Sequence, residues 1–408
     1  MSSSPIVSRM ESTEMGKKIR LLFTLPNLVG AGGQRAVLDM CRGLDAKRFD
    51  VHILVQEKLG SFLGDLRPTD KVTFLLDRRY RKTDLPRLLW RTMALAQDAD
   101  IVIGALEGRA SFCGLAAAKL LGKPFVGWVH IDWEPFLEHV SDRQRLGLST
   151  YRWAHKIVAC SNGAAESFSR LFSVPSDKIC TIYNGLPLAS IAKAAQEPLP
   201  AEFVEIFKQP TIVMVGRLDP QKNYPLLLDA HARLAQGGIA AQLVIVGDGG
   251  LRDELRAQAE RLGTSASVHF AGFRLNPQPF IKNARVFALS SLFEGFGLVL
   301  VEAMMNGTPI AATDCPSGPR EVLDNGAYGR LVPSQDADAL AAAMRTLLTD
   351  RAEAERLAEA GKKRAQAFAL EQSCQRWEQL LLGVAHSKPQ KGGVETIAPP
   401  VSGPSIGR

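Results

Sequence analysis

The sequence predicts an α/β protein of two doubly wound domains facing one another across a cleft. Three observations carry this. At 408 residues, 46% of them hydrophobic, the chain exceeds what one core usually organises. Short β-branched runs alternate with longer amphipathic stretches, and the alternation is interrupted once, near the middle.

In the first half, "IRLLFTLP", "DVHILVQ", "KVTFLL", "IVIGAL", "PFVGWVH" and "KIVACS" read as strands, with helical patterns such as "RASFCGLAAAKLLG" between them. Such near-continuous apolar runs suit a parallel sheet covered on both faces. The rhythm breaks over 186–209, which holds three prolines and no strand-like run. A second series follows with "TIVMVGRL", "QLVIVGD", "VHFAG", "VFALSS", "PIAAT" and "GRLVP". The expected organisation is a domain over 17–188, a linker over 189–209 and a second domain over 210–368. A closing helix over 369–386 could pack back on the first domain. The polar segment 1–16 and the Pro-, Gly- and Ser-rich segment 387–408 have little to bury and are expected to be disordered.

Composition excludes several classes. The formal charge of +7 is spread along the chain, which argues against a nucleic-acid-binding arm and suits a small anionic ligand or an anionic membrane surface. No apolar run reaches spanning length and the first residues lack a signal-peptide core, so export and membrane insertion are not expected. Six cysteines without CxxC or metal-ligand spacing read as buried thiols of a reducing compartment.

In doubly wound sheets ligands bind beyond the carboxyl ends of the strands, so the loops there are where chemistry is sought. The first, "NLVGAGGQR", carries Gly30, Gly32 and Gly33 before a helix, where exposed backbone N–H groups can approach an anion. The second, "GRLDPQKN", sets Arg217 and Lys222 five residues apart, a guanidinium fork and an ammonium suited to a diphosphate. The third, "SLFEGFGLVLVEAMMNG", puts Gly295, Phe296 and Gly297 before a helix starting near Leu298. Glu294 stands ahead of that helix and Glu302 about one turn inside it. Glu302 could there accept hydrogen bonds from vicinal hydroxyls such as those of a ribose. "DAD" at 98–100 and 336–338 superficially resembles a metal site, but the second opens a helix, where Asp caps, and no metal is expected.

In this order and at these intervals, "GAGGQR", "GRLDPQKN", "GDG" at 247–249 and "EGFGLVLVEAMMNGTPI" resemble family 4 retaining glycosyltransferases of the GT-B fold, from Lys17 to about His386. The resemblance implies a nucleotide diphosphate sugar donor, with UDP the expected nucleotide, held mainly by the second domain, and a glycan acceptor held by the first. It implies that Arg217 and Lys222 clamp the diphosphate, Glu302 binds the ribose, Glu294 meets the donor sugar, and His130, in "GWVHIDW", stands near that sugar. It further implies retention at the anomeric carbon and no cofactor. Gln34 departs from the acidic residue that many relatives carry after the glycines. "CPSGPREVLDNG", 315–326, is similar to a segment of relatives that extend polyprenyl-diphosphate-linked or surface glycans. An epimerase of the same fold and a catalytically silent sugar-nucleotide-binding partner are the competing readings. The basic stretch "DRRYRKTDLPRLLWR", 77–91, with Tyr80 and Trp90, is expected to rest on an anionic cytoplasmic leaflet, making the protein peripheral to the inner face of the membrane.

Overall fold

The computed structural model describes residues 17–29, 32–136 and 141–386; the segments 1–16 and 387–408 lie outside them. The first sheet contains β1 (Ile19–Leu25), β2 (Phe49–Glu57), β3 (Val72–Leu76), β4 (Ile101–Gly104), β5 (Phe125–Val129), β6 (Lys156–Ala159) and β7 (Ile179–Thr181), in the order β3-β2-β1-β4-β5-β6-β7. The second contains β8 (Thr211–Val215), β9 (Gln242–Val246), β10 (Val268–Gly272), β11 (Val286–Leu289), β12 (Ile310–Asp314) and β13 (Arg330–Pro333), in the order β10-β9-β8-β11-β12-β13. The pairings are parallel. Strand order reverses beside β1 in the first sheet and beside β8 in the second, which opens a crevice at the carboxyl ends of both. Strand β7 has no apolar run in the sequence; its three residues are half-buried and pair along β6.

Leu21, Leu22, Phe23 and Leu25 are all buried on β1, because helices cover both faces of the sheet. The last described helix, Leu370–His386, crosses back to the first domain. There the Trp377 ring lies tilted against Trp128 with centroids 4.6 Å apart, and Cys374 Sγ lies 3.7 Å from Met40 Sδ. Backbone bonds between Leu186 and residues 368 and 370, at 3.0 and 2.8 Å, stitch together the two places where the chain passes between domains. All six cysteines are unpaired thiols and five are buried.

The basic stretch 77–91 is more ordered than a row of free cations. Arg78 makes two 2.8 Å bonds to the Asp84 carboxylate, which also accepts the Arg81 backbone N–H. The Arg78 guanidinium holds that carboxyl down to about 2. Tyr80 lies beneath the Arg109 guanidinium at 3.7 Å. Arg79, Arg81, Lys82 and Arg87 remain exposed, and Trp90 is 65% exposed.

Candidate active site in the interdomain cleft

A cleft of about 770 Å³ runs between the domains. Its lining includes Gly32, Gly33, His130, Arg217, Lys222, Glu294, Gly295, Phe296, Gly297, Leu298 and Glu302, so one space gathers these residues from both halves of the chain. Gly30 lies outside the described residues.

On the first-domain wall, the Gly32–Gly43 helix begins with the two glycines inside its first turn. Gly33 faces Leu106 and the His130 ring, and Gly32 faces Leu298 across the cleft. His130 follows β5 and is 8% exposed; neither ring nitrogen has a hydrogen-bond partner among the described residues. Burial pushes its imidazole down to about 3, and the Ala105 carbonyl opposes this without reaching hydrogen-bond geometry. The ring is therefore neutral across physiological pH. Its loop is fixed by Glu107, whose Oε1 accepts the His130 backbone N–H at 2.7 Å, that of Ile131 at 3.3 Å and the Trp133 indole N–H at 3.4 Å. Burial pushes the Glu107 carboxyl up to about 7 despite those donors.

The second-domain wall is internally paired. Asp219 caps the short turn Pro220–Lys222 and takes the Arg217 guanidinium at 2.8 Å. Lys222 Nζ reaches Glu294 Oε1 at 2.6 Å, and Ser291 Oγ donates to the same oxygen at 2.6 Å. Both charges of that pair are largely buried, with side chains 15% and 6% exposed. Lys222 and Arg217 thus each hold a carboxylate, where the spacing alone led to the expectation of two cations turned on one anion. Glu302 lies in the Leu298–Asn306 helix. A chain of amides fixes it: Asn306 Nδ2 donates to Gln278 Oε1 at 2.7 Å, and Gln278 Nε2 donates to Glu302 Oε2 at 2.7 Å. Burial raises the Glu302 carboxyl.

The glycine-rich turn before that helix is also where the domains touch. A Cβ on Gly295 would stand 1.8 Å from the His130 carbonyl oxygen, so only glycine permits this approach. Ser161 Oγ donates to the Gly295 carbonyl at 2.6 Å. Gly297 has φ 85°, a left-handed cap that sets the helix start. The segment 315–326 crosses to the first domain. Ser317 Oγ donates to Asp132 Oδ2 at 2.8 Å, and the Glu321 carboxylate accepts the Asn162 and Gly163 backbone N–H groups, each at 2.9 Å, capping the Asn162–Phe172 helix from the other domain. Asp336 accepts the Ala339 N–H and caps its own helix, while Asp100 pairs with Arg20.

Sequence reading missed Glu107, Gln278, Asp39 and Glu321. None sits in a spacing pattern of its own; the side-chain partners of Glu107, Gln278 and Glu321 are 23 or more residues away, and Asp39 has none among the described residues.

Two family models match the chain: Glycosyltransferase Family 4 over residues 30–190, and Glycosyl transferases group 1 over residues 196–364. The chain belongs to the family 4 glycosyltransferases of the GT-B fold. The Campylobacter jejuni N-acetylgalactosamine-N,N'-diacetylbacillosaminyl-diphospho-undecaprenol 4-alpha-N-acetylgalactosaminyltransferase is 34% identical over 53% of this chain and 57% of its own length. The Escherichia coli UDP-Gal:alpha-D-GlcNAc-diphosphoundecaprenol alpha-1,3-galactosyltransferase is 26% identical over 84% of this chain and 90% of its own. Among the first curated relatives, the match spans about half of their length. The structure of Anabaena HepE in complex with UDP and glucose superposes with a TM-score of 0.78 at 22% identity, covering 90% of this glycosyltransferase-family chain and 100% of that one.

Proposed function

We propose that the protein transfers a hexosyl or N-acetylhexosaminyl group from a UDP-sugar to a lipid-linked glycan, with retention at the anomeric carbon, in bacterial polysaccharide or glycoconjugate biosynthesis. The observation that carries this reading is the buried Lys222–Glu294 pair, 2.6 Å apart in a cleft whose opposite wall presents His130. A buried ion pair costs desolvation, and a cleft wall is an expensive place for one unless a charged ligand joins it.

In this reading the diphosphate lies against Arg217, Lys222 and the backbone N–H groups around Gly295 to Leu298, with Gly32 and Gly33 closing from the other domain. Glu302 accepts ribose hydroxyls, and Glu294 and neutral His130 address the donor sugar. The bond from the anomeric carbon to the diphosphate oxygen breaks while the acceptor oxygen bonds to the same face. The acceptor proton passes to the departing diphosphate, whose growing charge Arg217 and Lys222 stabilise. Glu294, already engaged by Lys222 and Ser291, is a poor candidate nucleophile, which favours this front-face route over a covalent intermediate. The two cations neutralise the leaving group without a metal ion.

The names of the C. jejuni and E. coli relatives, both acting on undecaprenol-linked glycans, support a polyprenyl-diphosphate-linked acceptor. The exposed cations of 77–91 would hold the first domain on an anionic cytoplasmic leaflet. Arg78 is excluded from that role by its bond to Asp84. Vesicles containing anionic lipid should sediment the protein at low salt, and changing Arg79, Arg81, Lys82 and Arg87 to Ser should abolish this. Equal sedimentation of that variant would end the membrane reading.

A panel of nucleotide sugars, each with and without a polyprenyl-diphosphate-linked glycan, tests the activity. The expected result is UDP release that accelerates with acceptor and yields an axial-to-axial or equatorial-to-equatorial product. A new free sugar epimer would identify an epimerase instead, and binding without turnover a silent sugar-nucleotide partner.

A further inference from the structure

The Gly32–Gly43 helix turns more than its glycine-rich start toward the cleft. Gly32, Arg35, Asp39 and Arg42 share one face, spaced three and four residues apart. Gly32 meets Leu298 at the start of the opposing helix, and Leu298 and Glu302 share a face of that helix. From this point of contact the two faces look into the same space, which Arg35 and Asp39 line from one side and Gln278 and Glu302 from the other.

Asp39 is the anomaly on that face. It is 8% exposed and lines the cleft, and no hydrogen bond or ion pair ties its carboxylate to another described residue, although its oxygens are not sealed from the cleft. Its helical neighbours are committed elsewhere. Arg35 binds Asp65 at 3.0 Å and covers the Phe62 ring at 4.4 Å. Arg42 binds Asp65 at 3.0 Å and Asp70 at 2.7 Å. Burial pushes the Asp39 carboxyl up to about 6, against the nearby charges of Arg35 and Arg42. Its charge in turn adds to the upward push on Glu302, while Arg35 opposes it. Among the described residues Asp39 thus has no donor, and Glu302 has only one, from Gln278. Two carboxyls with vacant acceptor positions facing one cavity fit a ligand that offers two adjacent hydroxyl donors.

We infer that Asp39 completes the nucleoside pocket from the acceptor domain, so that the ribose of the donor is shared between Glu302 on one wall and Asp39 on the other. This rests on the nucleotide reading above. The vicinal hydroxyls would then bridge the domains, and nucleotide binding would itself draw the cleft closed. A 2′- or 3′-deoxy nucleotide should be rejected because it leaves one buried carboxyl without its donor.

Titration calorimetry with UDP, GDP and ADP identifies the tightest nucleoside diphosphate for the wild type. That nucleotide and its 2′-deoxy and 3′-deoxy forms are then titrated into Asp39→Ala and Glu302→Gln. Asp39→Asn, nearly isosteric, replaces the alanine variant if it fails to fold, with thermal melting as the check. Wild type should lose affinity about tenfold or more for each deoxy form, the worth of a hydrogen bond to a charged group. Asp39→Ala should weaken ribonucleotide binding by a similar factor and erase the discrimination at one hydroxyl, Glu302→Gln at the other. If Glu302→Gln behaves so but Asp39→Ala matches wild type on all three ligands, the inference fails and the nucleotide reading stands. An equal loss for ribo and both deoxy forms in Asp39→Ala would reduce Asp39 to a structural part and also overturn it. If wild type binds no nucleoside diphosphate, both readings fall together.

Discussion

The two walls of the cleft differ in how completely their polar groups are paired. On the second domain, Lys222 is paired with Glu294, Arg217 with Asp219, and Glu302 is held by Gln278. On the first, Arg35 and Glu107 have partners, but both His130 nitrogens have none among the described residues, and no hydrogen bond or ion pair ties the Asp39 carboxylate to another of them. A paired wall is preorganised: its charges are already aimed, and little is lost in ordering them when charge develops. Unpartnered groups such as the His130 ring nitrogens carry a desolvation cost that a ligand can relieve. The contrast suits a rigid donor side and an acceptor side whose groups are completed by what binds there.

Breaking the paired wall should have the largest effect. Lys222→Ala leaves Glu294 buried without its counter-charge, so stability should fall by about 3 to 5 kcal/mol in denaturant unfolding. Turnover should fall as well. Lys222→Met combined with Glu294→Gln should restore most of the stability but none of the turnover. If the double variant regained activity, the pair would be a structural element only.

Arg217→Ala separates chemistry from stability. Its side chain is 55% exposed, so the melting temperature should hold, while kcat/KM should drop by about 2 to 4 kcal/mol of transition-state stabilisation. Steady-state kinetics within threefold of wild type would remove Arg217 from the diphosphate site.

Where the walls meet, Gly295→Ala should push the second domain off the His130 carbonyl. The strain of such an insertion is about 1 to 3 kcal/mol, read as a lowered melting temperature together with raised KM for the donor. An unchanged melting temperature would mean that the domains do not meet there in solution.

The remaining effect is one of pH, on the first-domain side. The Glu107 carboxyl rises from 4.5 to about 7 on folding, so the folded state holds that proton more tightly than the unfolded one. The stability this contributes is complete below the unfolded value and is lost as pH rises through about 7. Glu107→Gln cannot titrate. The melting temperature of wild type relative to this variant should therefore decline between about pH 5 and about pH 8. A constant difference would show that Glu107 is ionised throughout.

The sequence by itself determined the two α/β sheets, because parallel strands buried on both faces leave short, mostly apolar runs such as "LLFTL" and "LVIV" that alternate with longer amphipathic stretches. It also determined the start of the helix carrying Glu302, since Gly297 and the residues after it are local signals. The three-residue β7 escaped because its pairing with β6 comes from the neighbouring strand and not from its own composition. The pairing of Lys222 with Glu294 spans 72 residues and that of Gln278 with Glu302 spans 24, and neither follows from spacing. Only the tertiary structure decided that Arg78 serves Asp84 inside its own domain, that Glu321 caps a helix of the other domain, and that Asp39 stands buried and unpartnered opposite Glu302. A side chain's charge is written in the sequence, but its partner is chosen by the packing of helices and loops that meet only once both sheets have formed.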